Sequence, residues 1–353
     1  MKLKSLAACT AAALSLTTLA ACSSSKATGA GGGGSPVVGV DYPRSDTDFW
    51  NSFIQYTPQF GGKLGLNLKT TNSQNDVAKL AANAQTFMAE GVQGVVMAPQ
   101  DTAAIAPTLA QLAAKKIPVV SVDTRPDTGS VYMVVRADNR AYGQKACEFL
   151  GTKLNGKGEV VMLEGDLASI NGRDRTEAFN ACMKQNFPGI TVYGEATNWD
   201  GATASQKLQT DLTAHPNIKG VYMESSFALS GTLQLLQQKG LLVSPTDPKH
   251  VFVVSNDGIP EELKDIASGK IDATVSQPAD LYAEYALYYI KAAIGGKTFE
   301  PGPTDHDSTI IQVRAGLLED QLSAPLVTAD GGSYGGISSL KSTDSSLWGN
   351  HLG

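Results

Sequence analysis

The sequence is sparing with the residues that metal and thiol chemistry require, holding four histidines and four cysteines in 353 positions. His215, His250, His306 and His351 are scattered, and none stands in H-E-x-x-H or beside C-x-x-C, so neither a metal site nor a cofactor is expected. Charge is also scarce at 18%, and 28 basic residues against 34 acidic ones give a net −6. An acidic excess offers no broad positive surface to release counterions from a phosphate backbone, which argues against a nucleic-acid partner. Aromatic residues make up only 7%, yet the chain is 42% hydrophobic, so it can bury a core and is not a disordered polymer. Its length fits about two domains.

The only long apolar run is at the front. Lys2 and Lys4 precede an uncharged Ala/Leu/Thr segment from Leu6 to Ala21, short of the ~20 apolar residues a spanning helix needs, and residues 1–21 read as a signal peptide. It ends Leu19-Ala20-Ala21-Cys22, which resembles the lipobox of bacterial lipoproteins. That resemblance implies lipidation of Cys22 and a globular part held outside the cytoplasm on a membrane anchor. Removing Lys2 and Lys4 leaves 26 basic residues against 34 acidic, a mature charge of −8. Residues 22–35, with Gly29 and Gly31 to Gly34, form a flexible tether. Gly29, Gly31 and Gly34 formally spell G-x-G-x-x-G, but no strand precedes them, so this is no dinucleotide site. Cys147 and Cys182 are left as either a disulfide or two buried thiols.

From residue 36 short apolar strands alternate with helical patterns. Val37 to Val40, Leu64 to Thr71, Gly94 to Ala98 and Pro118 to Asp123 read as strands, and Thr47 to Phe60, Asp76 to Glu90 and Thr102 to Lys115 as helices. The rhythm restarts at Val131 and runs to Gln277. Such alternation is the pattern of α/β proteins, here two doubly wound parallel sheets in series. The helix Asp280 to Ile294 and the strand Thr309 to Val313 have no sheet of their own, and the Gly/Ser-rich tail from Ser323 reads as weakly structured. The expected division is residues 36–136 plus 278–309 in one lobe and 137–277 plus 310–322 in the other, with 323–353 as a tail.

Open parallel sheets bind ligands at the carboxyl ends of their strands. The residues found there include Asp46, Asp48, Phe49 and Trp50 after the first strand, then Gln100, Asp123, Arg173, Trp199, Ser225, Asp257 and Gln277. Acceptors, a guanidinium fork and aromatic rings recur, whereas a paired nucleophile and base do not. Carboxylates and amides complement vicinal hydroxyls, and flat rings cover C–H faces, which together suit a sugar or polyol. The Gly331-Gly332-Ser333-Tyr334-Gly335 match to G-x-S-x-G lies in the tail without the strand and helix a nucleophile elbow needs, so no enzyme is expected.

At these positions the chain resembles the type I periplasmic-binding-protein-like solute receptors of ABC importers, in the ribose-binding-like branch. The resemblance is carried by Asp48-Phe49-Trp50, Val-Ser-Val-Asp ending at Asp123, Ala137-Asp138-Asn139 with Gly143, Leu163-Glu164-Gly165, and Gly172-Arg173-Asp174-Arg175 with Ala178-Phe179. It continues through Leu212 to Pro216, Asn256-Asp257-Gly258 and Ala273 to Pro278. It implies two lobes joined by crossovers near Ala137-Asp138, between Asp257 and Gln277, and around residue 310. By the same resemblance Phe49, Trp50 and Trp199 stack on the ligand, while Asp123, Arg173, Asp257 and Gln277 hydrogen-bond it. Thr124, Ser225 and Ala98 stand where ribose receptors carry Arg, Asn and Asn, which implies a small neutral sugar or acyclic polyol other than ribose. The implied partners are ABC permease subunits, with the receptor itself a monomer; a sensor receptor for a sugar or autoinducer is the alternative use of the same fold.

Overall fold

The computed structural model describes residues 34–351; the signal peptide, Cys22 and nearly all of the tether lie outside them. The described residues build two eight-stranded sheets. The first begins with β1 (Val37–Tyr42), α1 (Asp48–Leu64), β2 (Asn67–Asn72), α2 (Val77–Ala89), β3 (Gly94–Met97), α3 (Ala106–Ala114), β4 (Val119–Val122) and β5 (Met133–Ala137). These five strands pair in parallel in the order β5-β4-β3-β1-β2. β3, β4 and β5 are buried along their whole length, as continuous apolar strands covered on both faces must be.

The chain then crosses over. α4 (Asn139–Lys153), β6 (Lys157–Glu164), α5 (Ile170–Asn186), β7 (Gly189–Ala196), α6 (Gly201–Ala214), β8 (Ile218–Met223), α7 (Leu229–Gln238), β9 (Phe252–Asp257), α8 (Pro260–Ala267) and β10 (Ala273–Ser276) build the second sheet, in the order β10-β9-β8-β6-β7. α4 is started by Asp138, whose carboxylate accepts from the Arg140 and Ala141 amides. α4 and α5 pack closely, and a Cys147–Cys182 disulfide joins them.

α9 (Ala279–Ile294) returns to the first lobe and packs on α1 and β3 to β5. β11 (Gly302–Pro303), β12 (Thr309–Arg314) and β13 (Leu317–Leu322) extend the first sheet, β13 lying parallel to β5. β14 (Leu326–Thr328), β15 (Gly332–Tyr334) and β16 (Ile337–Lys341) then extend the second. The third crossover is therefore at residues 323–325 rather than near 310, and residues 310–322 belong to the first lobe. The expected single strand is the first arm of a hairpin turning at Ala315-Gly316, where Gly316 has φ +74°. Its second arm hides in sequence because it buries Glu319 and Asp320. Glu319 is held by Arg125 at 2.8 Å, and Asp320 by Ser308, His306 and Tyr289.

The segment after Ser323 is likewise ordered into the second sheet, and Trp348 at its end is buried. Ser333 sits in β15, paired antiparallel with β16, so the G-x-S-x-G match is a hairpin.

Candidate functional site

The three crossovers lie together, the Ala137 amide donating to the Tyr282 hydroxyl at 2.8 Å and the Ser276 amide to the Pro325 carbonyl at 2.9 Å, and residues at the carboxyl ends of parallel strands in both sheets line one cleft. The cleft is shut. Arg173 Nη2 on the second lobe reaches Asp127 Oδ1 on the first at 2.6 Å, the Thr102 amide donates to the Ala168 carbonyl at 3.3 Å, and Arg44 Nη1 donates to the Trp199 carbonyl at 3.3 Å. Between them lies a cavity with about 40 Å³ of room for the centres of water-sized molecules.

Phe49, Trp50, Gln100, Asp123, Trp199, Ser225, Asp257 and Gln277, all expected at the site, line this one cavity. Asp46 and Asp48 line an adjoining groove instead, beyond Arg44, which pairs with Asp46 at 2.5 Å. Arg173 lines neither, being engaged by Asp127, Thr102 Oγ1 and the Leu167 and Ala168 carbonyls. Its place is taken by Arg175.

The reason is helical geometry. On α5, Asn171 and Arg175 are one turn apart and share the inward face with Phe179 and Cys182, whereas Arg173 points about 160° away from their midline. Phe179 and Cys182, four and seven residues after Arg175 on the same face, were the readable signal for it. Arg175 is 2% exposed and each of its guanidinium nitrogens is anchored once, Nε donating to Asn139 Oδ1 at 2.6 Å, Nη1 to the Glu224 carbonyl and Nη2 to Gln277 Oε1 at 2.7 Å, which leaves one N–H on each Nη for a ligand. Its planar head lies over Tyr142 at 4.7 Å and near Trp199 at 5.7 Å.

The two cavity aspartates are set from opposite lobes. Asp123, just past β4, adopts φ +65°, and its Oδ1 accepts from Gln277 Nε2 at 3.1 Å. Asp257 ends β9 at φ +120°, and its Oδ2 takes Ser225 Oγ, the Ser226 amide and Ser226 Oγ at 2.6–2.8 Å. Non-glycine residues held at positive φ store strain that the surroundings must support. Asp257 thus gathers its protein donors on one oxygen, while Asp123 takes Gln277 on one oxygen and has the Asn171 amide beside it.

Burial is the largest influence on both acids. It pushes Asp123 up to about 6 despite Arg175 and Arg136 nearby, with Asp257 adding to the rise. Asp257 is raised by burial too, against Arg175 and its serine donors. Beneath the site Glu224 is pushed up to about 8 by burial, although the Gly165 amide and Thr176 hydroxyl bond to it at 2.8 and 2.7 Å.

Four rings complete the walls. Phe49 and Trp50 meet edge to face at 5.2 Å on α1, and Trp199 meets Phe227 likewise at 5.8 Å. Trp199 fits only because residue 165 is glycine: a Cβ there would stand 2.0 Å from the indole. Its Nε1 is buried with no acceptor among the described residues. No lining residue is a histidine or cysteine, and the one lining serine donates to Asp257. Among the described residues no His, Cys, Asp and Glu cluster is arranged to hold a metal.

Residues 38–298 match the family described as periplasmic binding protein domain. The chain belongs to that family. Among the relatives of this periplasmic binding protein is the ribose import binding protein of Salmonella typhimurium, 28% identical over 218 residues, or 62% of this chain and 71% of that one. Another is a xylitol-binding protein of Mycolicibacterium smegmatis, 25% identical over 67% of this chain and 66% of that one. An ABC transporter solute-binding protein from Mycobacterium smegmatis, solved with bound glycerol, superposes with a TM-score of 0.70 at 25% identity, covering 76% of this chain and 91% of its own. The two-lobed parallel-sheet architecture is that of a type I periplasmic binding protein, and the family works outside the cytoplasm.

Proposed function

We propose that this periplasmic binding protein captures a small neutral sugar or sugar alcohol for an ABC importer, from the outer face of a membrane to which Cys22 anchors it. One observation carries the reading. Arg44 at the edge of the cavity is paired with Asp46, which leaves Arg175 as the one buried cation among the described residues that line it, and Arg175 faces two carboxylates, Asp123 and Asp257. An anionic solute would meet an uncompensated negative charge there. A hydroxyl-covered neutral one donates to both carboxylates, accepts from Arg175 and the amides of Asn171 and Gln277, and buries its C–H faces on the four rings. Ligands named for relatives, ribose, xylitol and glycerol, are all of this kind.

No chemistry on the ligand is required. Contacts from both lobes exist together only in the closed form, so ligand shifts the population toward it, and release reverses the step. A micromolar Kd corresponds to about −8 kcal/mol, within reach of a few charge-assisted hydrogen bonds after ordering costs.

A melting-shift panel of pentoses, hexoses, pentitols, tetritols and glycerol tests the class, because a ligand raises stability only if the folded form binds it. We expect at least one neutral polyol to shift the melting point and sugar acids and sugar phosphates not to. A shift only with charged solutes refutes the reading. Replacing Cys22 with Ala tests the anchor, with release of the protein from the membrane fraction as the expected result.

A further inference from the structure

The carboxy-terminal segment lies beyond the residues that match the family, yet it carries one of the largest fully buried side chains among the described residues. Trp348 is carried by the second lobe, where the short turn around it packs on α8. Its ring crosses to the first lobe and meets Phe49 edge to face at 6.2 Å. Its Nε1 donates to the backbone carbonyl of Asp257 at 3.1 Å. The next residue, Gly349, is fixed against the same stretch: a Cβ there would stand 2.3 Å from the Gly258 carbonyl oxygen. Trp348 does not line the ligand cavity, but it touches from behind one ring and one acid that do.

These contacts fall where support is needed. Asp257 is held at φ +120°, and the Gln277 amide donates to the same carbonyl at 2.9 Å. The carbonyl of a strained residue thus takes one donor from the crossover and one from the carboxy terminus. Trp348 also joins the lobes directly, since Phe49 belongs to α1 and Asp257 to β9. A hinge opening that separates these two elements must give up one of the contacts.

We propose that the carboxy-terminal segment is a built-in strap between the lobes, in which Trp348 is a positioning residue that holds Phe49 and Asp257 in register and biases the ligand-free protein toward closure. The consequence for capture rests on the functional reading above; the bias toward closure does not. Trp348→Phe keeps the ring against Phe49 and deletes the donor to Asp257, whereas Trp348→Ala deletes both. Tyr334→Ala serves as a control, because Tyr334 comes from the same segment but packs on Phe149, away from both site residues.

The experiment pairs solution scattering of the ligand-free full chain with calorimetric titration of xylitol. The expected result for Trp348→Ala is a larger radius of gyration and an affinity lower by about tenfold, and for Trp348→Phe an affinity lower by about threefold to fivefold with the melting point almost unchanged. Tyr334→Ala is expected to melt lower while scattering and binding like the parent. A Trp348→Ala protein that scatters like the parent, or a Trp348 pair whose only change is the lowered melting shared with Tyr334→Ala, overturns the proposal. If Trp348→Ala does not fold, affinity and scattering of Trp348→Phe decide it, with parental values for both counting against the strap. Failure of the parent to bind any polyol refutes the functional reading instead and leaves the scattering comparison to judge the strap.

Discussion

Single residues in this protein owe their behaviour to burial more than to identity. Glu224 is wholly buried beneath Trp199 and Gly165, and burial pushes it up to about 8, whereas in the unfolded chain it has the ordinary value near 4.5. Between those values the folded form holds a proton that unfolding releases, so stability falls as pH rises across that window and the loss is complete above about 8. Glu224→Gln keeps an acceptor for the Gly165 amide and offers a donor to Thr176 without the ionisation. The variant is expected to melt close to the parent at pH 5 and a few degrees above it at pH 8, the gap widening with pH; a gap that does not depend on pH would show that Glu224 is ionised in the fold. The same burial explains why residue-level reading was uneven. Asp123, Asp257 and Gln277 were visible because they follow strands. Arg175 was masked by its neighbour Arg173, since choosing between two arginines two positions apart depends on which helix face turns inward.

At the scale of elements, the close pair α4 and α5 sets the position of Arg175. Gly143 on α4 faces the backbone of α5, where a Cβ would lie 2.3 Å from the Arg175 carbonyl oxygen and 2.7 Å from the Phe179 nitrogen. One turn further on, the Cys147–Cys182 bond fixes the separation, so the helices cannot yield freely there. Gly143→Ala is therefore expected to destabilise by about 1–3 kcal/mol and also to weaken ligand binding, because the displaced backbone carries the guanidinium with it. Opening the disulfide in that background should cost less than in the parent, where closing a loop of this size stabilises by about 4 kcal/mol. Additive losses in the melting points of the four proteins would contradict the coupling. Most elements were legible, because apolar strands spaced by helices announce a parallel sheet. The exceptions, β13 and the strands after Ser323, join sheets by long-range pairing. Local periodicity cannot report that pairing, least of all when β13 buries Glu319 and Asp320.

At the scale of the molecule, affinity depends on how easily the lobes stay together, and Arg173 belongs to this scale rather than to the ligand. Its guanidinium spans the cleft to Asp127, both side chains about 30% exposed, at 29% and 31%. A partly exposed pair contributes up to about 1 kcal/mol, and because it forms only when the lobes meet, that energy favours the closed state and enters the binding constant. Arg173→Ala should accordingly weaken binding by no more than about fivefold. Asp127→Ala, which removes a residue outside the cavity, should do the same, and the double variant should be no worse than either single one. Added salt should weaken the parent toward the level of the variants while leaving the variants nearly unaffected. Arg175→Ala provides the contrast: it strips donors from the cavity and leaves Asp123 and Asp257 facing each other without their cation, so its loss should be far larger and insensitive to Asp127. Calorimetry across these variants at two salt concentrations separates a latch from a ligand contact, and a loss for Arg173→Ala that exceeds Asp127→Ala by tenfold would return Arg173 to the ligand.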